Sequence, residues 1–336
     1  MSGAALAFGV AFAIAVTLTP LLRLFAHRIG YLDVPGAHSS HATPVPRSGG
    51  YAIFIGIVVA TWLAGRFEDR GVAVFIAAAV VLAIVAAIDE FRSLPRFGRF
   101  VVQVVVATAI AYEGYALLTT VRLPFGVDVP LGPLAGVVAV AWTVWMINAY
   151  NFMDGLNGMA SIEGIVCGLA FTILLLSIDD PQGAVPAAAT AGACAGFLPF
   201  NFPRGCIFMG DVGSATMGLL FALLSLRLAA MGLPFVAVAL PLFPFLFDTT
   251  VTVALRAARG ERFFATRHRS HFYQRLNQMG YTHAHVTMLY GLMAVASSLV
   301  ALTYTVLTET LKVLMLSGVV AMHVALAVWV AARENR

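Results

Sequence analysis

The feature that most constrains this chain is the recurrence, from one end to the other, of uninterrupted apolar runs long enough to cross a bilayer, about 20 residues each. They are centred near residues 14, 57, 80, 108, 140, 169, 192, 222, 244, 295 and 320. The expectation is therefore an all-α, polytopic bundle of about eleven transmembrane helices. Glycines and prolines inside the runs, such as Gly168, Gly192, Pro241 and Pro244, are tolerated where neighbouring helices satisfy the backbone again. A transmembrane barrel requires alternating rather than continuous hydrophobicity. With 60% hydrophobic and 11% charged residues and a mean hydropathy of +0.91, a water-soluble enzyme, a disordered chain, a coiled coil and a nucleic-acid-binding module are disfavoured together. Residues 1–336 read as a single transmembrane domain.

The N-terminal run has no basic leader and no clear small-residue cleavage site, so it reads as a first span that stays in the protein. Cys167, Cys194 and Cys206 are an odd number and show no metal-binding spacing; they are expected to pack, not to form disulfides. The net charge of +4 comes from 20 basic residues, and their distribution speaks to topology. With eleven spans, one set of loops and one terminus hold fifteen of them, including Arg23, Arg28, Arg47, Arg92, Arg96, Arg99, Arg204 and the Arg256–Arg275 cluster. The opposite side holds Arg66, Arg70, Arg122, Arg227 and Lys312. The positive-inside rule then puts the N-terminus outside and the C-terminus in the cytoplasm.

Polar chemistry follows the same division. Asp33, His38, His41, Asp89, Glu90, Asn148, Asn151, Asp154, Asn157, Asp211, Asp248, His268 and His271 lie in or beside the predicted cytoplasmic loops. A pure scaffold has no reason to segregate carboxylates, amides and histidines in this way. No inverted internal repeat of the transporter kind is visible.

Four segments carry the chemistry. Asp89 and Glu90 close an apolar run and precede Arg92, Arg96 and Arg99; an acidic pair there can hold a divalent cation, act as a base, or simply pair with the arginines. In NAYNFMDGLNGMAS, residues 148–161, Asn148, Asn151 and Asp154 recur every third position and share one face of a helical turn. That face suits sugar, base or phosphate recognition, although an Asn/Gly-rich turn is the plain alternative. In NFPRGCIFMGDVGSATMG, residues 201–218, Asp211 stands between Gly210 and Gly213, which allow phosphate oxygens to approach, and Ser214 is placed to cap the next span. RAARGERFFATRHRSHFYQRL, residues 256–276, interleaves His268 and His271 with six arginines, among them Arg267 and Arg269. This suits bidentate phosphate recognition, with membrane orientation or anionic-lipid contact as the alternative. The first loop adds Asp33, His41 and Arg47 among prolines and glycines that make it rigid.

In their order, LDVPxxxSSHxxPVPRxGG, an acidic pair at a span end, NxYNFMDGxxGxA, NFPxxxIFMGDVGS, FLFDTTVT and HRSHFYQRL resemble the polyprenyl-phosphate N-acetylhexosamine-1-phosphate transferases of glycosyltransferase family 4. The RSHFYQRL ending is more similar to the O-antigen-type members than to the peptidoglycan translocase. The resemblance implies a transfer of N-acetylhexosamine 1-phosphate from a UDP-sugar to undecaprenyl phosphate at the cytoplasmic face of the bacterial inner membrane. The products are an undecaprenyl-diphosphate sugar and UMP, as a first membrane step of O-antigen or other envelope polysaccharide synthesis. It also implies Mg2+, with Mn2+ as a substitute, membrane lipid as a partner, no nucleic acid, and room for a homodimer.

By motif position the resemblance makes Asp89, Glu90, Asp211 and His271 catalytic, with Asp211, Asn151 and Asp154 around the metal. Asp33, His41, Arg47, Asn148, Asn151, Asp154, Asn157, Arg267 and Arg269 would bind substrates. The chain departs from the family pattern at Glu90, where the usual second acid is Asp, at Asn157, where many members carry Asp, and at His38, where relatives often have Arg. Two other readings stand beside this one. A transporter or flippase would place carboxylates near the bilayer midplane, where only Glu113 and Glu163 qualify, and an inactive relative would bind neither metal nor nucleotide.

Overall fold

The structure, a computed structural model, describes residues 2–35, 43–64, 70–92, 94–112, 119–123, 125, 127–261 and 269–334. All eleven apolar runs are helical. α1 (Ser2–Ile29) leads to a short antiparallel ladder of β1 (Leu32–Asp33) and β2 (Val45–Pro46), then to α2 (Gly49–Leu63), α3 (Arg70–Arg92) and α4 (Arg96–Tyr112). A second ladder, β3 (Thr120–Arg122) with β4 (Asp128–Pro130), precedes α5 (Ala135–Met153), α6 (Met159–Ser177), α7 (Pro181–Asn201) and α8 (Gly210–Ala230). α9 (Phe235–Ala239), α10 (Phe243–Ala258), α11 (Phe272–Gln278), α12 (His283–Thr303) and α13 (Glu309–Glu334) complete the order. The two ladders are small exceptions to the all-helical expectation.

Among the described residues nine helices are long and apolar enough to cross a membrane. The other two predicted spans are shorter, α2 at 15 residues and α4 at 17. The span near residue 244 is built from α9, a 3-10 turn over Leu240–Leu242 and α10. Pro241 and Pro244 explain the break, since neither can donate a backbone N–H. The Cys167 Sγ donates to the Pro241 carbonyl at 3.1 Å, partnering a backbone acceptor at this break.

The centre of the bundle is α8, with α7 beside it, whereas α1 and α13 expose most of their apolar surface, as lipid-facing helices do. α7 reads PAAATAGACAG through its middle, and its small residues let backbones meet closely. A Cβ at Gly192 would lie 2.2 Å from the Phe8 carbonyl oxygen of α1, so only glycine permits that crossing. The largest buried cluster runs from Ala4 in α1 to Val330 in α13. Cys167, Cys194 and Cys206 are free thiols, the first two buried, as packing residues should be.

Helix direction alternates, so one end of the bundle gathers the C-terminal ends of α1, α3, α5 and α7 and the N-terminal ends of α2, α4, α6, α8 and α12. At the opposite end Asp180 caps α7 through the Gly183 N–H at 3.0 Å and receives Arg227 through Nε at 2.5 Å and Nη2 at 2.9 Å. This bidentate ion pair satisfies an arginine that would otherwise end α8 unpaired.

Candidate active site

The acidic pair sits in the last turn of α3, as its place at a span end suggested. Asp89 is committed on both oxygens: Oδ1 accepts the Leu94 N–H at 2.6 Å and Oδ2 accepts Arg99 Nη1 of α4 at 2.6 Å. Glu90 points to α8. Its Oε1 accepts the backbone N–H of Asp211 at 3.1 Å, while Oε2 is buried with no hydrogen-bond partner among the described residues. Glu90 thereby links the end of α3 to the start of α8.

Asp211 is the node. It lies in the first turn of α8, where the helix dipole favours a carboxylate. Its Oδ1 accepts Asn151 Nδ2 of α5 at 3.0 Å, and its Oδ2 is 3.4 Å from Arg99 Nη1. The entry into α8 is held by strand-like pairing: the Gly49 N–H donates to Phe208 at 2.9 Å, Gly50 to Met209 at 2.7 Å, and Phe208 to Pro46 at 2.8 Å. Gly210 has φ +74°, and a Cβ there would come 2.6 Å from the Arg47 carbonyl and 2.8 Å from Glu90 Oε1. Both the backbone conformation and the space demand glycine. Ser214 does not cap α8, which starts four residues earlier; it accepts Asn151 Nδ2 at 2.9 Å and donates to the Gly210 carbonyl at 3.2 Å. Asn151 therefore bridges Asp211 and Ser214 from the neighbouring helix.

Asp154, at the C-terminal end of α5, makes no side-chain hydrogen bond among the described residues. Burial and the nearby Asp211 carboxylate push its carboxyl well above the usual carboxylate range. The third member of the spaced triplet is turned elsewhere: Asn148 Nδ2 donates to Gln103 Oε1 of α4 at 2.6 Å and to the Val144 carbonyl at 2.7 Å. Asn157 is taken up by the fold as well. Its Nδ2 donates to the Pro203 carbonyl at 3.0 Å, a bond that an Asp could not make, and its carbonyl accepts Thr287 Oγ1 at 2.9 Å. Asn201 joins the same loops, with Oδ1 on the Gly158 N–H at 2.6 Å and Nδ2 on the Ile207 carbonyl at 2.8 Å.

Asp33 and Arg47 form an ion pair at 2.8 Å on the β1–β2 ladder, beside the Gly210 turn. His38, His41, Arg267 and His268 lie outside the described residues. His271 is buried, with its ring against Phe152 and Tyr273 and its Nδ1 at 3.0 Å from Asp248 Oδ1. For Arg269, the described bond is a backbone one: its carbonyl accepts Gln278 Nε2 at 3.0 Å.

Asp248 is a residue whose role sequence reasoning did not assign. Only 1% exposed, it also accepts the Phe272 N–H (3.1 Å), the Tyr273 N–H (3.1 Å), the Tyr290 hydroxyl (2.5 Å) and Thr252 Oγ1 (3.2 Å). One carboxylate of α10 thus docks the start of α11 and orients His271. The Tyr273 hydroxyl completes the link by donating to the Phe152 carbonyl of α5 at 2.8 Å. The signal was present in FLFDTTVT, because a lone carboxylate within an apolar run has to be satisfied by something outside it. The Arg99–Asp89 pair is one of the readings the acidic pair left open, whereas Gln103 was missed: among many amides, nothing local marks it.

A cavity of about 470 Å³ at the same end of the bundle is lined by Thr43, Val45, Asn157, Pro203, Arg204, Gly205, Phe208, Thr282, His283 and Ala284, and so includes Asn157 but none of the carboxylates above. Its amide, hydroxyl, guanidinium, imidazole and aromatic groups are those that bind a polar, ring-containing, anionic ligand. The described carboxylates and amides thus converge at one end of the bundle. The deep acid Glu163 is buried in α6 away from them, and Glu113 lies outside the described residues, which leaves the transporter reading without a line of midplane charges.

Comparison with known proteins agrees with this geometry. Residues 72–229, which contain Asp89, Glu90, Asn151, Asp154 and Asp211, match glycosyl transferase family 4. The chain is 32% identical over 302 residues to the decaprenyl-phosphate N-acetylglucosaminephosphotransferase of Mycobacterium tuberculosis, covering 80% of this chain and 74% of that protein. It is 29% identical over 287 residues to a probable undecaprenyl-phosphate N-acetylglucosaminyl 1-phosphate transferase of Bacillus subtilis, covering 82% and 78%. A phospho-N-acetylmuramoyl-pentapeptide-transferase of Desulforudis audaxviator is 30% identical over 244 residues, covering 63% and 72%. With several helix ends delivering acids and amides to one node, and with these relatives, the chain belongs to glycosyl transferase family 4 and is a membrane-embedded sugar-phosphate transferase.

Proposed function

We propose that this enzyme transfers an N-acetylhexosamine 1-phosphate from a UDP-sugar to undecaprenyl phosphate, opening O-antigen or another envelope polysaccharide synthesis in the bacterial inner membrane. In this reading the chain is one domain, its N-terminus is outside, and the site and C-terminus face the cytoplasm, where the basic loops lie. An oxygen of the lipid phosphate bonds to the sugar-bound phosphorus of the donor. The bond from that phosphorus to the bridging oxygen breaks, and the oxygen leaves with UMP. The observation that carries the reading is the Asp211 node, met by Glu90, Arg99 and Asn151 from three other helices. The relatives named for N-acetylglucosamine make that sugar the first donor to test.

The residues fit a divalent cation. Among the described residues no three His, Cys, Asp or Glu side chains form a ready-made cage. Magnesium, however, is usually held by one or two carboxylates together with substrate phosphates and water. Asp211 and Asp154 with the Asn151 amide match that need, and the buried Oε2 of Glu90, without a hydrogen-bond partner among the described residues, lies beside them. When bound, Mg2+ neutralises the charge that develops on the diphosphate.

The chain's own residues hold the reactants. Asp89 accepts one hydrogen bond on each oxygen, from the Leu94 N–H and from Arg99 Nη1, so it aims Arg99 while each oxygen keeps a lone pair for a proton. Glu90 fixes the backbone at Asp211, and Asn151 fixes its carboxylate. Asp248 orients His271, and with Arg269 that histidine contacts phosphate; Asp33 and Arg47 brace the loop over the α8 entry. The cavity lined by Asn157, Arg204 and His283 receives the nucleotide sugar. Keeping both reactants in place supplies most of the rate advantage, which favours direct displacement.

The test is UMP release by the purified, detergent-solubilised protein with undecaprenyl phosphate, Mg2+ and a panel of UDP-N-acetylhexosamines, with and without EDTA. Release that requires lipid, metal and a particular sugar is the expected result. A folded protein that releases UMP with no donor in the panel overturns the proposal.

A further inference from the structure

We propose that Arg99 receives the phosphate of the lipid acceptor; the inference rests on the transferase reading above and names the partner of one part of that site. Arg99 shares a single nitrogen, Nη1, between Asp89 Oδ2 at 2.6 Å and Asp211 Oδ2 at 3.4 Å. Its Nε and Nη2 donors have no partner among the described residues, and the side chain is 33% exposed. Asp89 is better buried, at 12%, and is fixed from behind by the Leu94 N–H. One corner of the guanidinium is therefore anchored while the rest of the fork is presented to the site. A planar fork with free parallel donors matches two oxygens of a phosphate monoester, which an ammonium group cannot do.

The position of α4 argues for the lipid and against the donor. Phe97, Val101 and Val105, spaced four apart on one face of the helix, are 69%, 42% and 61% exposed, an apolar stripe left open among the described residues. Arg99 and Gln103 occupy another face, turned to α5 and α8, where Gln103 bonds Asn148. Arg99 thus stands on a helix that borders hydrocarbon on one side and the acidic node on the other. A phosphate that arrives on an apolar tail reaches it along the membrane.

The experiment measures binding to the full-length protein in detergent, without turnover, using farnesyl phosphate, farnesol and UDP-N-acetylglucosamine as separate probes. In Arg99→Ala, farnesyl phosphate should bind about tenfold to a hundredfold more weakly, the loss of a charge-assisted hydrogen-bonding partner. Farnesol and the donor should bind as in the wild type, and Arg99→Lys should fall between. In steady-state transfer the same variant raises the KM for lipid and leaves the KM for the donor in place. Unchanged farnesyl phosphate binding in both variants overturns the assignment, and so does a selective loss of donor binding. If Arg99→Ala is not stable enough to purify, Arg99→Lys with wild-type affinity overturns it equally. Failure of the transferase reading itself is separate, since it shows as absent UMP release in the wild type.

Discussion

Asp248→Asn is the most informative perturbation of the site's framework, because its cost can be worked out atom by atom. Oδ1 accepts His271 Nδ1, the Phe272 N–H and Thr252 Oγ1, and Oδ2 accepts the Tyr273 N–H and the Tyr290 hydroxyl. An amide is the same size but must place an NH2 where one oxygen was. The cheaper orientation puts it at the Oδ2 position, where the Tyr290 hydroxyl can rotate to accept. The Tyr273 N–H then loses its acceptor in a site 1% exposed, which costs about 1–3 kcal/mol. The bonds that remain lose their charged acceptor, and charge-assisted bonds are roughly twice as strong as neutral ones. A total of about 2–5 kcal/mol follows, with Tyr290→Phe at the low end of that range because it removes a single hydroxyl. Thermal unfolding in detergent, read by size-exclusion recovery after a heating series, checks the stability. Transfer should fall with it, since His271 loses its orienting partner. An Asp248→Asn protein that melts with the wild type and keeps its transfer rate would refute the claim that this carboxylate docks α11 and aims the imidazole.

The remaining predictions follow from single contacts. Asp211→Asn should abolish measurable transfer while leaving the melting temperature near that of the wild type, because it keeps the shape and loses only the charge at the node; full activity would remove Asp211 from the chemistry. Asn157→Asp should restore the family's more usual acid yet lower stability by about 0.5–1.5 kcal/mol, since a carboxylate would face the Pro203 carbonyl with no proton to donate and the site is open to solvent. Its melting temperature is the measurement. Gly192→Ala should destabilise by about 1–3 kcal/mol through overpacking against the Phe8 carbonyl, with little effect on KM for either substrate in the protein that remains folded.

Much of the architecture was legible in the amino-acid chain because the bilayer reads sequence locally. A run of apolar residues becomes a helix whatever its neighbours do, since every backbone group has to be satisfied within the segment. The shorter lengths of α2 and α4, and the break at Pro241 and Pro244, refine that reading without altering the order of elements. Grouping Asp89, Glu90, Asn151, Asp154 and Asp211 was also possible from the sequence, because alternating helix direction brings every second loop to one side.

Which of those residues touch could not be read there. Periodicity relates residues three or four apart on one helix, whereas the contacts that build the site join α3 to α8, α4 to α8, α5 to α8 and α10 to α11 and α12. Asn148 and Asn151 illustrate the limit: three residues apart on one helix, the first ends on Gln103 and the second on Asp211, because a different helix packs against each. Glu90 and Asn157, departures from the family pattern in sequence, each have a partner in the packed structure, the Asp211 N–H and the Pro203 carbonyl, the second of which an ionised Asp could not serve. The sequence by itself determined where the apolar helices run, in what order, and which chemical groups stand at their ends. The tertiary structure alone decided which carboxylate was paired, which was left open and which arginine joined the acidic node, because those outcomes depend on distances between helices far apart in the chain.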